Sequence, residues 1–283
     1  MKKQSALLKR IIIIVILLVF FSGIFVFCSV EIVNQATFYP RSGTVVDIKR
    51  LPPSIQHHTI PTADGEQLSA FYIRNSEADK TMIYFHGNAG NASERLPDAI
   101  DMATLGSNVL LLDYRGYGLS SGSPSEEGIY LDGRAALNFL IQEKDLDSTA
   151  AFLFGRSLGS AVAVDIAQEY PFAGMILITP ISSGRDVAQN AGLGSAASVM
   201  GNPFNNTKKI AGFTAPILLI HGDSDEVLPM EMSQKLVEAA QSKTHLVILP
   251  GAGHNTIIQV NKANFYAPIQ AFCDSILADR SLD

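Results

Sequence analysis

Cysteine is scarce in this chain of 283 residues: there are two, Cys28 and Cys273. Cys28 lies in an apolar amino-terminal run and Cys273 in the last predicted helix, so the two are not expected to meet. No disulfide framework is expected, and cysteine usage assigns no compartment. Positive charge is in deficit as well, with 21 Lys and Arg against 27 Asp and Glu and a formal net charge of −6. Without a basic patch the phosphate backbone has nothing to bind, which argues against a nucleic-acid partner. The sequence lacks a glycine-rich loop of the strand–loop–helix nucleotide type, and no group of His, Cys and carboxylate residues has metal-ligand spacing. No organic cofactor and no metal ion are therefore expected. Internal repeats and low-complexity tracts are absent too.

The first feature that is present is a long apolar run. Residues 11–30 carry no charged side chain, and as a helix they would extend about 30 Å, the thickness of a bilayer core. Lys2, Lys3, Lys9 and Arg10 precede the run and Glu31 follows it. The positive-inside rule then leaves the amino terminus cytoplasmic and the rest of the chain extracytoplasmic. A cleaved signal peptide is the rival reading. It calls for a shorter apolar region and small residues at the cleavage point, whereas this chain has Phe25-Val26-Phe27-Cys28 there. The expectation is a single-pass membrane anchor in residues 1–30, followed by a juxtamembrane linker over 31–58.

From Thr59 to the end, apolar strands alternate with amphipathic helices, which predicts one α/β domain, 59–283, built on a mostly parallel sheet with helices on both faces. Its start differs. Gln56 to Pro61 and Gln67 to Ile73 flank Ala63-Asp64-Gly65 and predict an antiparallel hairpin. Between Pro180 and Pro216 the chain turns to Gly, Ala, Ser and Asn, so residues 181–214 are expected to form a short cap.

Where the predicted strand ending at Phe154 meets a helix of small residues stands Gly155-Arg156-Ser157-Leu158-Gly159. A Ser on so sharp a strand-to-helix turn needs neighbours with almost no side chain, and the turn aims its hydroxyl above the sheet. The Leu158 amide, at the positive end of the new helix, would face an oxyanion formed there. Alone, the pentapeptide also fits a small helix cap beside two packing glycines. A nucleophilic Ser further needs a base, and the base a carboxylate to orient it. After the apolar run 217–220 comes His221-Gly222-Asp223-Ser224-Asp225-Glu226-Val227-Leu228-Pro229, and after the run 246–249 comes Pro250-Gly251-Ala252-Gly253-His254-Asn255. The order Ser, Asp, His, each beyond a strand's carboxyl end, matches one of the convergent triads.

With these loops, and with Tyr84-Phe85-His86-Gly87-Asn88-Ala89-Gly90 and Asp113-Tyr114-Arg115-Gly116-Tyr117-Gly118-Leu119-Ser120, the chain resembles the α/β-hydrolase superfamily. Within it the chain is similar to membrane-anchored, serine-aminopeptidase-like α/β-hydrolase-domain proteins. The likeness runs from about Thr59 to Ala278. It implies the α/β-hydrolase fold, with Ser157 as nucleophile, Asp225 as acid, His254 as base, and the Leu158 and Asn88 backbone amides as oxyanion donors. The family's Asp-x-x-x-Pro spacing selects Asp225 over Asp223, which with Glu226 reads as a solvated loop residue or a cap for the helix expected near Met230. His86 reads as a tethering imidazole, and Arg115 either clamps an anionic substrate or pairs locally. None of His57, His58, His221 and His245 has the loop position and partner that His254 has.

The expected function is that of a membrane-anchored serine hydrolase acting on an ester or thioester of a small or lipid-like acyl group. A serine peptidase or aminopeptidase is the alternative within enzymes, and a non-catalytic membrane-tethered scaffold of the same fold is the alternative outside them.

Overall fold

A computed structural model describes residues 34, 35, 37–194 and 201–280. The expected anchor at 11–30, with Cys28, lies outside these. Among the described residues no helix is long and apolar enough to cross a membrane.

Tyr39–Asp283 form one compact unit. In chain order its elements are β1 (Tyr39–Pro40), β2 (Ile55–Pro61), β3 (Gln67–Ile73), β4 (Lys80–Phe85), β5 (Ala89–Gly90), α1 (Ala92–Ala103), β6 (Ser107–Leu112), α2 (Glu126–Lys144), β7 (Ala151–Arg156), α3 (Gly159–Ile166), β8 (Gly174–Ile178), α4 (Gly184–Asn190), α5 (Asn206–Ile210), β9 (Ile217–Gly222), α6 (Glu231–Ala239), β10 (Thr244–Leu249) and α7 (Lys262–Arg280). The main sheet runs β10-β9-β8-β7-β4-β6-β3-β2. Every pairing from β10 through to β6 is parallel, while β3 joins β6, and β2 joins β3, antiparallel. The predicted hairpin is thus the antiparallel edge of a mostly parallel sheet.

The central strands read as near-continuous apolar runs because both of their faces are covered. Tyr84, Phe154, Ile176 and Ile220 share one cluster with Leu96 and Met102 of α1 and Phe265, Ile269 and Phe272 of α7. Side chains alternate along a strand, so Ile83, Leu110, Leu153, Leu177 and Leu219 point to the opposite face, where α2 and α3 pack together. That packing is close: a Cβ added at Gly133 of α2 would come 2.7 Å from Val162 of α3. α3 is buried along its whole length, as its lack of a polar face requires.

The body begins earlier than the sequence suggests. The expected start at Thr59 falls inside β2, and residues of the expected linker are built into the fold. Tyr39–Pro40 pairs with Ala89–Gly90, and Asn91 Nδ2 donates to the carbonyls of Arg41 (3.1 Å) and Gly43 (3.0 Å). A two-residue strand carries no periodic signal, which is why this portion reads as linker. In the expected cap, the described residues form the short helices α4 and α5, whose caps are Ser183 and Asn205.

Candidate active site

The parallel register brings the carboxyl ends of β4, β7, β8 and β9 to one edge, where Phe85 faces Gly155, Gly155 faces Leu177 and Ile178 faces Ile220. Ser157 follows β7 directly and has φ +53°, one of four described non-glycine residues at positive φ. Such strain persists only where the surroundings impose it. The two glycines are what those surroundings demand. A Cβ at Gly159 would lie 2.0 Å from the Phe85 carbonyl oxygen, and one at Gly155 would lie 2.6 Å from that of Gly159. The Ser157 amide donates to the Ile178 carbonyl at 2.9 Å, tying the turn to the next strand.

Two loops meet the hydroxyl. His254 Nε2 lies 3.2 Å from Ser157 Oγ, and His254 Nδ1 lies 2.8 Å from Asp225 Oδ2. An ionised carboxylate only accepts, so Nδ1 carries the imidazole proton and Nε2 presents its lone pair to the Ser157 hydroxyl, which donates. Asp225 Oδ1 accepts from the amides of Val227 (2.9 Å) and Leu228 (2.8 Å). Its side chain is fully buried. Burial alone would push this carboxyl up, but hydrogen bonds from His221, His254 and the Leu228 amide more than reverse that and hold it well below the usual carboxylate range. The carboxylate stays charged next to the imidazole.

Leu158 precedes α3 and has no side-chain cap, so its amide is among those a helix leaves without an internal acceptor. Asn88 belongs to the turn after β4. Its carbonyl accepts from the Tyr39 amide at 3.0 Å and from the Tyr117 hydroxyl at 2.7 Å, which fixes the turn's orientation. A Cβ on Gly87 would sit 3.6 Å from Ser157 Cβ, so this turn borders the hydroxyl.

His86 is fully buried, donates through Nδ1 to the Gly87 carbonyl at 2.7 Å and packs on Tyr114 and Tyr117. It braces the turn. Arg115 is committed locally: its guanidinium reaches Asp64 at 2.7 Å and Asp132 at 2.8 Å. Asp223 accepts from the Gly251 amide at 2.7 Å and stays exposed. The suggested caps for the helix near Met230 are not found, since Met230 precedes α6 with no side-chain cap. His57 bonds Ser69, and His58 packs on Phe139.

Two residues of the site escaped sequence reasoning. His221, fully buried, places Nε2 3.3 Å from Asp225 Oδ2, although the chain alone shows only a His ending a strand. Its spacing of four residues before Asp225 is the available signal. Arg156, beside the nucleophile candidate, donates to the His254 carbonyl at 3.2 Å. No local pattern points to that contact across the sheet. Among the described residues no group of His, Cys, Asp and Glu is arranged to hold a metal ion.

The family described as serine aminopeptidase, S33, matches residues 76–210 and 204–261. The chain is 34% identical to an uncharacterised protein of Mycobacterium tuberculosis over 83% of its own length and 84% of the other. It is 32% identical to human alpha/beta hydrolase domain-containing protein 17B over 69% of its length and 68% of that protein's. In fold it is similar to an esterase of Pyrococcus furiosus, with a TM-score of 0.69 at 22% identity, covering 84% of this chain and 98% of that one. An alpha-beta hydrolase of Vibrio vulnificus gives a TM-score of 0.67 at 22% identity, covering 78% and 81%. The extent of the family match and the identity with these relatives establish that the chain belongs to the serine-aminopeptidase-like (S33) family of α/β hydrolases.

Proposed function

We propose that this protein is a membrane-anchored serine hydrolase that cleaves an ester or thioester through an acyl-enzyme. The observation that carries the reading is the hydrogen-bonded series Ser157–His254–Asp225, with spacings of 3.2 and 2.8 Å between residues of three separate loops. In the proposed mechanism, His254 Nε2 takes the hydroxyl proton as Ser157 Oγ bonds to the acyl carbon. Asp225 holds the imidazole in the Nδ1–H tautomer and offsets the charge it acquires. The amides of Leu158 and Asn88 receive the oxyanion. Collapse of the tetrahedral adduct expels the alcohol or thiol, which leaves with the proton from His254. Water then attacks the acyl-enzyme, with His254 taking its proton and returning it to Ser157 as the acid departs. The chemistry calls for no cofactor.

Aminopeptidase activity is the second reading, favoured by the description of the matching family. The anchor is part of the proposal through the uncharged run 11–30, with the amino terminus cytoplasmic and the catalytic body outside. The test is labelling by a fluorophosphonate, followed by turnover on a panel of esters, thioesters and aminoacyl amides. Ser157→Ala is expected to abolish labelling and to lower turnover by several powers of ten. Labelling that persists in this variant sinks the assignment, and preference for the amides moves the chain to the second reading.

A further inference from the structure

Asp225 serves two imidazoles. One is His254. The other is His221, at the end of β9, which is fully buried with Nε2 2.9 Å from the Leu228 carbonyl and 3.3 Å from Asp225 Oδ2. Its Nδ1 lies 2.7 Å from Ser233 Oγ in α6. Two acceptors face Nε2, so that nitrogen carries a proton whichever way Ser233 turns. In the neutral ring Nδ1 then accepts from the Ser233 hydroxyl, which holds the ring's orientation from outside the site.

This one N–H governs both oxygens of Asp225. Its hydrogen bond to the Leu228 carbonyl fixes the peptides of the loop after β9. The amides of that loop, Val227 at 2.9 Å and Leu228 at 2.8 Å, hold Asp225 Oδ1. The same proton faces Oδ2, the oxygen that accepts from His254 Nδ1 at 2.8 Å. Without this proton the buried Oδ2 would lose its contact with His221, and the loop would lose one of its ties to the sheet, beside the Asp225 amide's bond to the Gly222 carbonyl at 3.4 Å.

We infer that His221 is a positioning residue: its Nε2–H, with the ring set by Ser233, holds Asp225 in the orientation that aims His254 at Ser157. The inference rests on the reading of Ser157, His254 and Asp225 as the catalytic series.

Two variants of similar polarity separate this role from general support of the core. In His221→Gln the side-chain amide nitrogen reaches the place of Nε2, whereas in His221→Asn it reaches only the place of Nδ1, toward Ser233. Both are measured as the full chain in detergent on a p-nitrophenyl ester, with thermal melts alongside. His221→Asn is expected to lower kcat by about tenfold to a hundredfold, the scale of losing alignment by a fraction of an ångström. KM should stay within about twofold, and His221→Gln should recover at least tenfold of the lost kcat. Equal losses in the two variants, wild-type kcat in His221→Asn, or a loss carried by KM would each overturn the inference.

If His221→Asn does not melt cooperatively, Ser233→Ala takes its place. It keeps the imidazole but frees the ring, and kcat is expected to fall roughly threefold to tenfold; unchanged kcat would count against the role. Ser157→Ala runs in parallel. Should that variant keep its labelling and turnover, the reading of the site itself is at fault, whereas an inactive Ser157→Ala with unaffected His221 variants rejects only the role of His221.

Discussion

Asp225 and Asp223 stand two positions apart, yet they do different things. Asp225 is buried between His221 and His254, whereas Asp223 is exposed and accepts from the Gly251 amide. Asp225→Asn places an amide where an acceptor is required and favours the wrong tautomer of His254. It should therefore cost on the order of a thousandfold or more in kcat. Asp223→Asn should cost less than about tenfold, and kcat on an activated ester decides the ranking; the reverse order would move the acid to Asp223. The same carboxyl shapes stability. Its folded pKa is depressed below the unfolded value of about 3.9, so its contribution is present above that pH and is lost as pH falls through the folded value. Urea midpoints of wild type and Asp225→Asn should accordingly draw together between about pH 5 and pH 2. A gap that stays constant would show that ionisation of Asp225 contributes nothing to folding.

At the scale of elements, the turn between β7 and α3 is set by contacts with β4 as much as by its own sequence. Gly159→Ala forces a methyl to within 2.0 Å of the Phe85 carbonyl oxygen, which is backbone and has no room to yield. The expected result is loss of fluorophosphonate labelling with a lowered melting temperature; wild-type labelling would mean the turn is looser than its geometry. Arg115 ties a second set of elements, joining the hairpin at Asp64 to α2 at Asp132. Burial pushes the Asp132 carboxyl up to about 6, against the pull of the Arg115 guanidinium. Arg115→Met removes that pull from a fully buried acid and should destabilise the protein by roughly 3 kcal/mol, with KM for neutral esters unchanged. An unchanged melting temperature combined with a raised KM for anionic esters would instead assign Arg115 to substrate.

For the whole molecule, the question is where the catalytic body begins. Tyr39–Pro40 pairs with the strand that follows Asn88, and the carbonyls of Arg41 and Gly43 hold Asn91. Asn91 in turn caps α1 by accepting from the Glu94 amide, a contribution of about 1 kcal/mol. Removing residues 1–30 should leave a body that melts cooperatively and hydrolyses a small activated ester at the wild-type rate. Removing residues 1–45 should lower the melting temperature and most of the activity together, because the turn carrying Asn88 loses its partner. A Val30 truncation that folds but is inactive would make the amino-terminal segment part of the catalytic machinery.

The sequence by itself determined the layered α/β architecture, the hairpin edge and the candidates Ser157 and His254, because each is written locally, whereas the choice of Asp225 over Asp223 came from the spacing of the family the chain resembles. Apolar runs mark buried parallel strands, glycines mark a turn that excludes side chains, and Asp and His stand in loops just past strand ends. What tertiary structure decided are the contacts between segments far apart in the chain: His221 against Asp225 and Ser233, Arg156 against the His254 carbonyl, Arg115 between Asp64 and Asp132, and Tyr39 beside Asn88. Residue type and spacing record what one element needs in order to form. Which buried donor meets which buried acceptor depends on how the strands align, and that alignment exists only in the folded sheet.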